Sequence, residues 1–309
     1  MEHLRELITS LQLSDIPLKQ GEPLLRHTSF QIGGPAAVMV FPASETHLKD
    51  IFALCRQYQV APLILGGGTN VLCPDQGLDT LIIETKTNFH ALRDLGGGVL
   101  EAQGGAMLSR FAAFAQERGR TGLEFAHGIP GTVGGGIYMN AGAYGGEMKQ
   151  VVEGVTFLKP DGTIVDISGT ELDLSYRHSR FMTEPGLILR VRVRLEQDAP
   201  EAIRSRMAEL MRRRKSSQPL EYPSAGSTFK RPAGGYAAAL IDEAGLKGLT
   251  VGGAQVSEKH AGFVINQGGA TCQNVLDLMA QVQEKVLAHS GVALEPEVRV
   301  WEVPKSCNF

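Results

Sequence analysis

The placement of glycine constrains this chain more than any other feature of its sequence. Of 309 residues 37 are glycine, and the densest runs form two clusters. LGGGTN at 65–70 directly follows a short apolar run, and GIPGTVGGGIYMNAGAYGGE spans 128–147. Backbone without a Cβ turns easily through positive φ and can bring its N–H groups close to an anion such as a diphosphate. Taken singly, a tight turn at Gly66–Gly68 and close packing of elements at Gly134–Gly136 account for the clusters equally well. The spacings GxGxxG and GxxxxGK[ST] are both absent, which takes most support from a Rossmann or P-loop reading.

The rest of the composition narrows the class. With 43% hydrophobic residues the chain can bury a sizeable core, and its length suits two or three domains. A formal charge of −3 offers no global field for nucleic acid or an anionic membrane, so any bound anion must be held locally. No run reaches the ~18 apolar residues of a membrane span, and the N-terminus lacks a signal-peptide pattern; a cytoplasmic protein with no obligate protein partner is expected. Cys55, Cys73, Cys272 and Cys307 form no CxxC pair, so reduced thiols are expected and no metal site.

Periodicity divides the chain further. Helical spacing marks residues 1–12 and 44–58, the latter with Ser44 as cap, and apolar runs at Ala37–Phe41, Pro62–Leu65 and Leu81–Ile83 read as strands. From about 95 to 195 glycine-punctuated strands dominate, at Val99–Ala102, Val151–Leu158, Thr163–Ile167 and Leu187–Leu195, with one helix near 107–118. A basic amphipathic helix at 201–215 follows, with Arg212, Arg213 and Arg214 read as its solvated end. Beyond it come helices at 236–244 and 273–289, strands at 249–256 and 261–265, and an extended piece at 294–303.

The order strand, GGGTN, then IPGTVGG and NAGAYG resembles the FAD-binding fold of the vanillyl-alcohol-oxidase type. YRHSRF at 176–181, PSAGSTFKRP at 223–232 and LEPEVRVW at 294–301 complete the set, together with HTSFQIGG at 27–34. Over nearly its whole length the chain resembles the UDP-N-acetylenolpyruvoylglucosamine reductase family. The resemblance implies an α+β protein: FAD-binding subdomains at 1–73 and 74–200, each α/β, and an α+β substrate domain at 201–309. It implies non-covalent FAD held by Leu65, Gly66, Gly67, Gly68, Thr69, Asn70, Gly128, Ile129, Pro130, Gly131, Thr132, Gly134, Gly135, Asn140, Ala141 and Gly142. His127 does not match a flavin-attachment motif and reads as a structural or solvent-facing residue.

The activity so implied is reduction of a UDP-sugar enolpyruvyl ether, with NADPH as hydride donor and FAD as carrier. Hydride addition to the vinyl carbon leaves a carbanion next to a carboxylate, and that charge needs a fixed cation. Arg177 matches the family position for it, and a guanidinium fork suits a carboxylate. Ser227 matches the proton donor and Glu297 the third catalytic residue, with Glu295 two positions away as its decoy. Lys215 matches a substrate-binding lysine, and Lys230 and Arg299 are further substrate candidates. Some members carry an inserted tyrosine loop after YRxSxF; here only Met182–Gly186 separates Phe181 from the next strand, which places the chain in the shorter branch. An FAD oxidase of the same superfamily would explain the glycine loops but not the three linked motifs. A catalytically dead nucleotide sensor would be colourless.

Overall fold

A computed structural model describes residues 2–303. The first sheet runs in the order Leu18–Pro23, Pro35–Val40, Leu78–Glu84, Leu63–Leu65. Its first pair is antiparallel and the other two are parallel. Alternation sorts the faces: Val38, Val40, Leu81 and Ile83 pack with Leu7, Leu11, Leu48 and Ile51 of the helices Glu2–Gln12 and Glu45–Gln57, while Met39 and Ile82 point into a second cluster. Ser44 caps its helix as expected, accepting from the His47 amide at 3.1 Å.

The second sheet is wholly antiparallel, in the order Ile164–Ser168, Val152–Leu158, Leu187–Arg194, Val99–Gln103, Leu92–Gly96. The helix Leu108–Glu117 covers it through Leu108, Phe111 and Ala115. A third unit pairs Ser224–Ser227, Phe263–Asn266, Ala254–Val256 and Thr250–Val251 under the helices Ala237–Glu243 and Cys272–Ser290. The run 249–256, read as one strand, is a hairpin that turns at Gly252, where φ is +55°.

Both expected domain boundaries move. Leu78–Glu84 lies inside the first sheet, so the first subdomain extends past residue 73. The helix Pro200–Ser217 buries Ile203 and Met207 in the core of the second sheet, so the third unit starts near 218 rather than 201. An apolar stripe belongs to whichever core it fills, and composition alone does not reveal which. Phe30 and Ile32 of HTSFQIGG show the same effect, because they pack inside the third unit with Val264, Val275 and Leu278. Cys55, Cys73 and Cys272 are buried thiols; Cys307 lies outside the described residues.

Candidate active site

The two glycine loops abut. A Cβ on Gly67 would stand 2.8 Å from the Gly131 Cα, and one on Gly66 2.3 Å from Thr132 Oγ1. Close packing is therefore one reason for glycine here, and it leaves bare backbone lining a cleft of about 1300 Å³. A site for one drug-sized ligand spans ~300–1000 Å³, so this cleft has room for an extended dinucleotide beside a second ligand. Residues 65–70, 129–132, 134–135 and 141–142 line it. None of them is acidic, and Gly68 and Gly131 sit at φ +63° and +120°; such a surface fits the diphosphate of FAD. A third glycine pair, in QGGAM at 103–107, is a cleft element the motifs do not mark, although it follows a strand as GGGTN does. Gly104 lines the cleft and accepts from the Gly134 amide at 2.8 Å.

Two members of the expected cofactor set stand elsewhere. Gly128 packs against the Arg214 side chain, where a Cβ would come within 2.9 Å of Nε. Asn140 is fully buried, and its amide is engaged by Glu147, Ser175 and the Lys149 backbone. His127 lines a separate groove with Lys215.

The three catalytic candidates converge on the cleft. Arg177 Nε donates to Glu297 Oε1 at 2.5 Å. Glu297 is held through its backbone, its amide donating to the Thr228 carbonyl at 2.8 Å and its carbonyl accepting from Asn70 Nδ2 at 3.2 Å. Asn70, at the end of GGGTN, thus fixes a residue of the third unit, and the parallel pairing of Arg299–Val300 with Val71–Leu72 continues the tie. Burial pushes the Glu297 carboxyl above its ordinary range, against the opposing pull of Arg177 and, more weakly, Lys230. The ion-pair geometry alone would suggest a depressed value, yet desolvation is the larger effect at a side chain with 11% exposure. Ser227 is half-buried at the end of the strand Ser224–Ser227, after Gly226 at φ +76°. Glu295, the decoy, is exposed and ion-paired with Lys230.

Of the substrate candidates only Arg299 lines the cleft, its guanidinium carbon 5.2 Å from the Tyr138 ring. Lys230 is turned to Glu295, and Lys215 lies in the separate groove. From that helix Ser217 and the neighbour Arg214 line the cleft, Arg214 being expected to be solvated but only 8% exposed. Its Nε is buried with no hydrogen-bond partner among the described residues, and burial pulls its pKa down. Tyr144 lies beside it, 5.8 Å from the guanidinium carbon to the ring centre. The signal was present in the sequence: 203, 207, 210 and 214 share one helical face, so Arg214 continues a buried stripe.

Residues 36–168 match the family model for an FAD binding domain, and 218–301 match the one for the C-terminal domain of UDP-N-acetylenolpyruvoylglucosamine reductase. Fold and cleft therefore define an FAD-dependent oxidoreductase, an FAD-binding domain followed by a separate C-terminal α+β unit. The chain is 46% identical over 288 residues to UDP-N-acetylenolpyruvoylglucosamine reductase of Caldanaerobacter subterraneus subsp. tengcongensis, covering 92% of this chain and 95% of the relative. It is 43% identical over 288 residues to that of Clostridioides difficile, covering 93% and 94%. The crystal structure of UDP-N-acetylenolpyruvylglucosamine reductase from Thermus caldophilus superimposes with a TM-score of 0.79 at 36% identity, over 93% of this chain and 99% of that one. The chain belongs to the UDP-N-acetylenolpyruvoylglucosamine reductase family.

Proposed function

We propose that the chain reduces UDP-N-acetylglucosamine enolpyruvate to UDP-N-acetylmuramate with NADPH, in the cytoplasmic stage of peptidoglycan precursor synthesis. The observation that carries the reading is the convergence of Arg177, Glu297 and Ser227, from three separate motifs, on the glycine-lined cleft. FAD, when bound, carries the hydride from the nicotinamide to the vinyl carbon of the substrate.

The protein's task is to make that carbon accept a hydride. Glu297 takes the Nε–H of Arg177 and so fixes the plane of the guanidinium, leaving its two terminal nitrogens to face the substrate carboxylate as a fork. Charge that develops next to that carboxylate is stabilised there without reorganisation. The Ser227 hydroxyl then gives its proton to the carbanion and recovers one from water. Its ordinary acidity is weak, and the transfer runs downhill only because the carbanion is far more basic. In place of a tyrosine loop, Arg214 and Tyr144, which line the cleft side by side, serve the substrate diphosphate, the guanidinium supplying charge-assisted hydrogen bonds to it.

The half-reactions separate these roles. With FAD-loaded enzyme under anaerobic conditions, Ser227→Ala is expected to keep NADPH-driven bleaching of the flavin. Reoxidation by the enolpyruvyl substrate should slow by ~10²-fold or more. Equal slowing of both steps would refute the proton-donor role, and a protein that stays colourless with added FAD would refute the whole reading.

A further inference from the structure

Arg177 stands on backbone that an arginine seldom adopts. Ser175 and His178 exchange both backbone hydrogen bonds, at 3.2 and 3.1 Å, closing a tight turn around Tyr176 and Arg177. Within it Arg177 sits at φ +53° while Tyr176 is not at positive φ, the pattern of a turn whose third position favours glycine or asparagine. Glycine there would relieve the strain and remove the guanidinium. Burial of its own does little to hold the turn, because Tyr176 is 47% exposed and the His178 side chain 41%. Something else must keep it in place.

Two fully buried polar side chains do so, one reaching in from the second glycine loop and one reaching back to it. Asn140 Nδ2 donates to the Ser175 carbonyl at 3.0 Å, and Ser179 Oγ donates to the Tyr138 carbonyl at 2.7 Å. The Asn140 amide has one possible orientation. Its other N–H meets the Glu147 carboxylate at 3.0 Å, and its oxygen accepts from the Lys149 amide at 2.9 Å. A flipped amide would set oxygen against carboxylate and N–H against N–H. The loop that lines the cofactor cleft thus also sets the height of the turn that carries Arg177.

We infer that Asn140 and Ser179 are positioning residues that hold the Arg177 turn against the cofactor loop, rather than ligands of the cofactor itself. The inference rests on Arg177 being the carbanion clamp. Asn140→Gly keeps the left-handed backbone at φ +42° and deletes the amide; Ser179→Ala deletes one hydroxyl and serves if the first variant does not fold. In FAD-loaded enzyme, flavin reduction by NADPH is expected to stay within about twofold of wild type. Reoxidation by the enolpyruvyl substrate should slow by about tenfold or more, the scale of a displaced catalytic group.

The same change made in an Arg177→Ala background should then slow reoxidation by less than about twofold, because nothing remains to be misplaced. Full multiplicative slowing in that background would overturn the inference by showing a general structural role. A second readout is independent of turnover: the slowly exchanging 15N–H signal of Arg177 Nε, identified by its loss in Arg177→Ala, should shift or broaden in both positioning variants. An unmoved signal together with wild-type reoxidation in both would also overturn it. Near-normal reoxidation in Arg177→Ala alone would instead refute the clamp reading of Arg177.

Discussion

Glu297 lies between two opposing influences, the Arg177 guanidinium that favours its charge and the burial that disfavours it. Burial is the larger, and the carboxyl titrates above its ordinary 4.5. Between the unfolded and folded values the folded chain holds the proton more often, so stability falls as pH rises through that window and the penalty is complete above the folded value. Glu297→Gln, a mimic of the neutral form, should therefore melt higher than wild type at about pH 8, and the gap should close as the pH falls toward about 4. Thermal melts across that range check the sign; a lower melting temperature at every pH would show that the ion pair outweighs burial. Only the motifs mark Glu297, Arg177 and Ser227 as candidates, since a lone serine after glycine reads as a turn. Arg214 is legible by register alone, against the expectation that a run of basic residues at a helix end is solvated.

Elements with a buried stripe could be read to within a few residues, and those without one could not. Leu18–Pro23 buries only Glu22 and Leu92–Gly96 buries nothing, so these two strands exist through pairing with a neighbour and leave no alternation in the sequence. The helix Val133–Tyr138 was hidden by three glycines, and it forms because Thr132 accepts from the Gly135 amide. Capping also joins elements across the molecule. Asp75, from the loop after Cys73, accepts from the amides of Cys272 and Gln273 at 2.8 and 3.3 Å, at the start of the helix Cys272–Ser290. That helix already has a capping box from Thr271 and Asn274, so Asp75 supplies a second cap from another unit. Asp75→Ala should cost about 1 kcal/mol in urea unfolding, and Asp75→Asn about half of that, since the amide oxygen keeps one acceptor but loses the charge favoured at a helix start. No change in either variant would mean that the Thr271 box alone satisfies the helix.

At the scale of the molecule, a short stretch of the first unit plugs the core of the third, beside the ties at Asn70, Val71–Leu72 and Asp75. Phe30 is 1% exposed inside the core of the third unit, and Ser29 and Ser224 tie the segments beside it, with the Ser29 hydroxyl donating to the Ser224 carbonyl at 2.6 Å. Asn266 Nδ2 donates to the Phe30 carbonyl at 3.1 Å, which fixes the insertion. HTSFQIGG was recognisable as a motif but not as a plug, because contact across units leaves no periodicity in the chain. The glycine loops belong to the first two units, whereas Ser227 and Glu297 belong to the third, so the seat sets these two side chains against the glycine-lined cleft. Phe30→Ala removes an aromatic anchor worth ~3–5 kcal/mol of stability. FAD should still bind, and NADPH should still bleach it. Reoxidation by substrate should slow because Ser227 and Glu297 are no longer held in register, and calorimetry should resolve the third unit melting before the other two. A single unchanged transition with wild-type reoxidation would show that the side-chain ties of Asn70 and Asp75 seat the unit without the plug.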